Sequence, residues 1–200
     1  MPISTLSTHT LQSARDRILD NAAELFATRG FQAVGLRDLA SYLGLHAGSL
    51  YHHFENKQAL LFELIESGLL NLLQETKQQI KNKRKPCERL HLFIRAFVAF
   101  NANEKHTLTL ITREFANLNE EQQARIIQLK NRYSALLSAV LVYGRNGEEK
   151  INGDLCPLTQ TAVIILFGQS HWYTSETTEQ QLATTLTTLF TCLIDAHNSV

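Results

Sequence analysis

The chain has 200 residues, 44% of them hydrophobic, enough to bury a substantial core as one or two compact units. Lysine plus arginine and aspartate plus glutamate balance at 19 each, which excludes a global field driving the chain onto nucleic acid or membrane and leaves any anion binding to a local surface. Cys87, Cys156 and Cys192 are too scattered for a zinc or redox pair, the first residues lack the apolar core of a signal peptide, and the longest strongly apolar stretch, AVIILFG at 162–168, is too short for a bilayer. A soluble intracellular protein with no membrane partner is expected.

The Ser/Thr-rich first dozen residues read as disordered. Beyond them Ile18, Ala22, Leu25 and Phe26 recur at i, i+4, i+7 and i+8, predicting an amphipathic helix over 13–29 that Gly30 can end in a left-handed conformation. The next stretch puts Leu36, Leu39, Ala40 and Leu43 on one helical face, then Gly44, then Leu45, Leu50 and Phe54. Two short helices at a tight bend satisfy that spacing. Ala40 is small where they approach, Gly44 supplies a positive φ, and Leu50 packs the second helix on the first. From Lys57 a stripe of Leu60, Leu61, Leu64, Leu72 and Leu73 predicts one long helix reaching Lys85. Further helical stripes follow in Leu90, Phe93, Ile94, Phe97 and Phe100, in 108–115, and in Ile126, Leu129, Tyr133, Leu136, Leu137, Val140 and Leu141. A glycine-rich stretch at 144–157 separates these from two last helices, 158–171 and 179–196. Pro2, Pro86 and Pro157 each open or precede a periodic segment. No period-two alternation competes, so the chain reads as all-α with nine helices.

A bend like that at 36–54 fits an ordinary helical hairpin as well as a helix-turn-helix, whose second helix, starting near His46, enters a DNA major groove and presents Ala47, Ser49 and His52. The flanking residues separate the two. Gly30 and Phe31 ahead of the bend, Tyr51 and Phe54 within it, and Lys57 beyond it make 13–73 resemble the tetracycline-repressor (TetR) family of bacterial regulators. The resemblance implies a three-helix DNA-binding domain at 13–73, its helix-turn-helix at 36–55, and a helical ligand-binding and dimerisation domain at 74–200. It further implies a cytoplasmic homodimer that represses by holding a palindromic double-stranded operator, located on the nucleoid when bound, and that a small, largely apolar effector releases. No cofactor, metal or enzymatic activity is expected. In the family pattern Ala47, Ser49 and His52 are placed to read bases, Tyr51 and Lys57 match phosphate-contacting positions, and Arg37 and His46 join them as candidate DNA contacts.

The chain departs from that pattern at Gly35 and His46, which stand where the family carries hydroxyl N-caps; a lost cap costs about 1 kcal/mol. Residues 1–60 carry five basic side chains (Arg15, Arg17, Arg29, Arg37, Lys57) and five acidic ones (Asp16, Asp20, Glu24, Asp38, Glu55), so non-specific DNA binding is expected to be weak. His46, His52 and His53 offer charge in mildly acid solution, and operator affinity is expected to rise as pH falls toward about 6.

On the last helix Leu182, Leu186, Leu189, Phe190, Leu193 and Ile194 form one stripe, and Val163 to Phe167 are apolar all round the helix before it. The resemblance implies that these two helices, doubled, make a four-helix dimer interface; a core internal to one chain satisfies the same pattern. Phe93, Phe97, Phe100, Leu110, Phe115, Tyr133, Trp172 and Tyr173 suit either a packed core or an apolar ligand pocket, and the resemblance favours the pocket. The stretch 112–141 and His171, Trp172 and Tyr173 look like the family branch that responds to fatty acyl or acyl-CoA compounds. The basic cluster Lys77, Lys81, Lys83, Arg84, Lys85 and Arg89 suits a solvated helix end, an acidic ligand group or DNA.

Other classes of function have thinner support. Cys87 and His91 lie four apart on one helix, but no oxyanion site or orienting group accompanies them. His171, Asp195 and His197 would meet as metal ligands only if the last two helices brought them together. A ligand-binding or interaction module that has lost DNA binding is the remaining alternative.

Overall fold

A computed structural model describes residues 14–141, 157–168 and 177–198. Among them the chain forms α1 (Ala14–Arg29), α2 (Leu36–Leu43), α3 (Ala47–His53), α4 (Lys57–Ile80), α5 (Pro86–Asn103), α6 (Lys105–Arg113), a 3-10 turn (Phe115–Asn117), α7 (Glu120–Leu141), α8 (Pro157–Gly168) and α9 (Glu179–Asn198). The expected all-α class and nine helices hold for these residues. None of the described helices is long and apolar enough to cross a membrane.

Local chemistry sets the helix ends. Gly30, at φ 88, donates its N–H to the Phe26 carbonyl and stops α1. The Asn56 side chain accepts from Ala59 N at 2.7 Å to start α4. Two reciprocal capping boxes open the later helices. Asn119 and Gln122 exchange backbone and side-chain hydrogen bonds ahead of α7, and Thr178 and Gln181 do the same ahead of α9. Two expected boundaries differ. The long helix ends at Ile80 rather than Lys85, because Asn82 takes φ 65 and Pro86 biases Lys85 away from helical geometry. The helix expected at 108–115 starts earlier, at Lys105, after the single residue Glu104 breaks the line of α5.

α4 is the axis of the molecule. It packs on α5, α6 and α7, while its first turns meet α1, and α5 in turn rests along α9. α1 packs on α6 as well, which ties the N-terminal helices to the larger bundle. One continuous apolar core runs from Ile18 through Phe26, Leu50, Leu61, Phe97 and Leu137 to Phe190. Each large side chain so buried contributes about 1.5–3 kcal/mol. α4 and α6 approach so closely at Gly68 that a Cβ there would lie 2.3 Å from Thr107 Cγ2.

Candidate nucleic-acid interface and core cavity

The bend between α2 and α3 is a Schellman turn. Gly44 sits at φ 66, ψ 27, its N–H donates to the Ser41 carbonyl, and Leu45 N–H donates to the Ala40 carbonyl at 2.8 Å. Leu39, Ala40, Leu50 and Phe54 are buried beneath it, so α3 is held on its inner face while its outer face is presented to solvent. His46, Gly48, Tyr51, His52 and His53 are exposed, Tyr51 at 55%; Ser49 is half-buried and Ala47 leans on the core. Arg37 is exposed on α2. The missing hydroxyl caps are compensated at one end only. The Asp38 carboxylate accepts the Gly35 N–H at 2.8 Å, whereas His46 caps α3 with no side-chain hydrogen bond.

Three contacts brace this surface. Arg15 donates through Nη2 and Nε to the two Glu63 carboxylate oxygens, at 2.6 and 3.1 Å, and through Nη1 to the His53 carbonyl at 2.9 Å, and lies over the Phe54 ring, tying α1, α3 and α4 together. Lys57 donates to the Phe31 carbonyl at 2.9 Å, with its ammonium 4.2 Å from the centre of the Phe31 ring. The residue the family pattern sets against phosphate is therefore also an internal brace, with further N–H groups left over. Asn117, on the 3-10 turn, accepts from Gln32 through its side chain and from Gln58 through its carbonyl, joining the surface to the larger bundle. Arg15 and Asn117 carry no sequence signal, since their partners lie far along the chain.

The expected pocket residues divide. Phe93, Phe97, Phe100 and Leu110 are buried in the core, where Phe93 meets Tyr133 at 5.1 Å and Phe97 meets Phe167 at 5.1 Å. Of the group, Tyr133 lines a cavity of about 370 Å³ between α4, α6, α7 and α8. The other walls are Leu69, Ile111, Thr112, Lys130, Ser134 and the Val163–Gly168 end of α8. Phe115 lies beside it, its ring 4.6 Å beneath the Lys130 ammonium. Trp172 and Tyr173 lie outside the described residues, as do His171 and the side chain of His197. Lys130 had a legible signal that the sequence reading missed, a charge at the i+4 position of the stripe Ile126, Tyr133, Leu137. Burial holds the Lys130 pKa below the ordinary lysine value.

The expected dimer stripe also divides. Leu182, Leu186 and Phe190 are buried within the chain's own core, because α9 packs along α5. Leu189 at 40% exposure and Ile164 at 70% face outward, and Val163, Phe167 and Leu193 are half-buried. Among the described residues no group of His, Cys, Asp and Glu side chains is placed to hold a metal ion, and Cys87 is exposed.

Comparison with known proteins agrees with this architecture. Residues 18–64 match the family described as bacterial regulatory proteins, tetR family, and residues 83–194 match the tetracyclin repressor-like C-terminal domain. The chain is 33% identical over 122 residues to the HTH-type transcriptional repressor KstR2 of Mycolicibacterium smegmatis, a match covering 60% of this chain but only 58% of that repressor. It is 27% identical over 136 residues to the fatty acid metabolism regulator protein of Bacillus subtilis, covering 67% of this chain and 70% of that one. The crystal structure of PfmR from Thermus thermophilus superposes with a TM-score of 0.78 at 25% identity, covering 88% of this chain and 97% of that one. The matches take in both the helix-turn-helix and the larger bundle, and the chain belongs to the tetracycline-repressor (TetR) family of bacterial regulatory proteins.

Proposed function

We propose that the protein is a dimeric transcriptional repressor that reads a palindromic operator with α3 and is released by a small, largely apolar effector bound in the cavity between α4, α6, α7 and α8. The exposed face of α3 carries this reading, backed by Leu50 and Phe54 and braced by Arg15. In this role Ser49, His52 and Ala47 read bases, while Tyr51, Arg37, His46 and the spare donors of Lys57 meet phosphates. Residues 13–73 serve as the DNA-binding domain and 74–200 as the ligand-binding and dimerisation domain. The outward faces of α8 and α9, around Ile164 and Leu189, form the dimer surface and space two α3 helices about 34–36 Å apart. The resemblance to a regulator of fatty acid metabolism supports an acyl effector.

Release follows from how the cavity is built. Ile111 and Thr112 of α6 line it, and α6 packs on α1. Lys130 reaches from its wall to Phe115, in the same 3-10 turn as Asn117, which holds Gln32 and Gln58. A ligand that moves α6 or this turn shifts the platform under α3, so ligand and DNA oppose each other through one coupling energy. The reading is tested by selecting bound sequences from random DNA with purified protein, beside Tyr51→Ala and Ser49→Ala. A palindrome should be enriched, Tyr51→Ala should weaken every site, and Ser49→Ala should change base preference. Selection that enriches nothing refutes the proposal.

A further inference from the structure

The cavity wall has a definite electrical sign. Among the described residues its side chains are apolar apart from Thr112, Ser134, Tyr133 and Lys130, and none is a carboxylate. Lys130 is half-buried, and among the described residues no carboxylate oxygen lies within 4.0 Å of its ammonium, which lies over the Phe115 ring. A ring face stabilises a cation by about 0.5–2 kcal/mol, well short of what a desolvated ammonium loses on leaving water. Tyr133 is buried, with Thr76 beside it, yet its hydroxyl makes no hydrogen bond of acceptable geometry. Among the described residues the wall therefore carries one cation without a counter-ion, and burial already disfavours the charged form of the lysine.

Two other cavities among the described residues lack this character. The one between α1, α4 and α6, about 250 Å³, is edged by Asp16, Asp20 and Glu104, and the groove between α5 and α9 sets Arg95 against Glu179. A volume of about 370 Å³ lies near the small end of ligand sites, which run from about 300 to 1,000 Å³. It accepts a medium-length chain or a compact ring system.

We propose that the cavity selects a monocarboxylate with an apolar body, the Lys130 ammonium binding the carboxylate directly. This deepens the effector reading above and rests on it. An arriving carboxylate supplies the missing counter-ion and draws the ammonium away from the Phe115 ring. A neutral ester, alcohol or thioester of the same length leaves the lysine uncompensated.

Calorimetric titration of the full chain at pH 7, without DNA, tests the assignment with decanoate and decanol as probes. Wild type should bind decanoate at least tenfold more tightly than decanol. Lys130→Met should bring the two affinities together, and Lys130→Arg, which keeps the charge, should retain most of the preference; circular dichroism checks that both variants fold. Equal affinities in wild type, a preference that survives in Lys130→Met, or no binding of either probe overturns the proposal. A parallel titration of the selected operator keeps the two readings apart. Decanoate that binds through Lys130 yet leaves operator affinity unchanged removes the effector reading and keeps the anchor, whereas decanol that releases operator as well as decanoate removes the anchor alone.

Discussion

Replacing Gly68 by alanine adds one methyl at the closest approach of two helices. On an exposed helix the change is favourable, since alanine is preferred over glycine by about 1 kcal/mol. Here the new Cβ would sit 2.3 Å from Thr107 Cγ2 and 3.5 Å from Ile111 Cδ1. Thr107 is buried and its hydroxyl donates to Glu104 at 3.1 Å, so it cannot turn away without giving up that bond. Overpacking of this kind costs about 1–3 kcal/mol. Set against the propensity gain, we expect a net loss of about 1 kcal/mol in urea denaturation, with the slope unchanged. Thr107→Ser removes the opposing methyl and keeps the hydroxyl, so the double variant should show a favourable coupling of about 1–2 kcal/mol. A Gly68→Ala protein more stable than wild type, or effects that simply add, would refute the claim that this glycine sets the separation of α4 and α6. The same variant should change operator affinity, because α6 pushed off α4 carries α1 with it.

Leu50→Ala, at a site with no solvent exposure, should destabilise by about 2–5 kcal/mol and abolish operator binding at 37 °C, read by circular dichroism and fluorescence anisotropy. Lys57→Met removes the hydrogen bond to the Phe31 carbonyl and the ring contact, and should cost about 1–2 kcal/mol of stability whether or not DNA is present. If Lys57 also meets phosphate, the salt slope of operator binding should fall by about one in the same variant. Asn117→Ala should leave ligand affinity nearly unchanged and weaken the antagonism between ligand and operator, because it releases Gln32 from the turn while the Gln58 bond to the backbone carbonyl stays. Burial lowers the Lys130 pKa below the ordinary 10.5, so the unfolded chain takes up a proton in the window between the lowered value and 10.5. Stability from this group therefore rises as pH rises through that window, while decanoate affinity falls, and Lys130→Met should flatten both profiles.

The helix-turn-helix was legible because its information is local. The left-handed Gly44, the small Ala40 and the buried Leu50 and Phe54 lie within a few residues of one another, and each is the residue type its backbone or packing position requires. The capping boxes at Asn119 and Gln122 and at Thr178 and Gln181 were readable by the same logic, though the helix boundaries were drawn without them. Periodicity failed where the question was which partner covers an apolar face. The stripe of Leu182, Leu186 and Phe190 has the same spacing whether α5 of its own chain or a second chain lies against it, and only the packing of α9 along α5 shows that this chain itself buries them while leaving Ile164 and Leu189 exposed. Likewise Phe93, Phe97 and Phe100 carry the apolar character of either a core or a pocket, and nothing in their spacing says where a void remains. The more telling signal was the misfit. A charge inside an apolar stripe is costly to bury, and Lys130, between Ile126 and Tyr133 on the core-facing side of α7, is such a charge and lines the cavity.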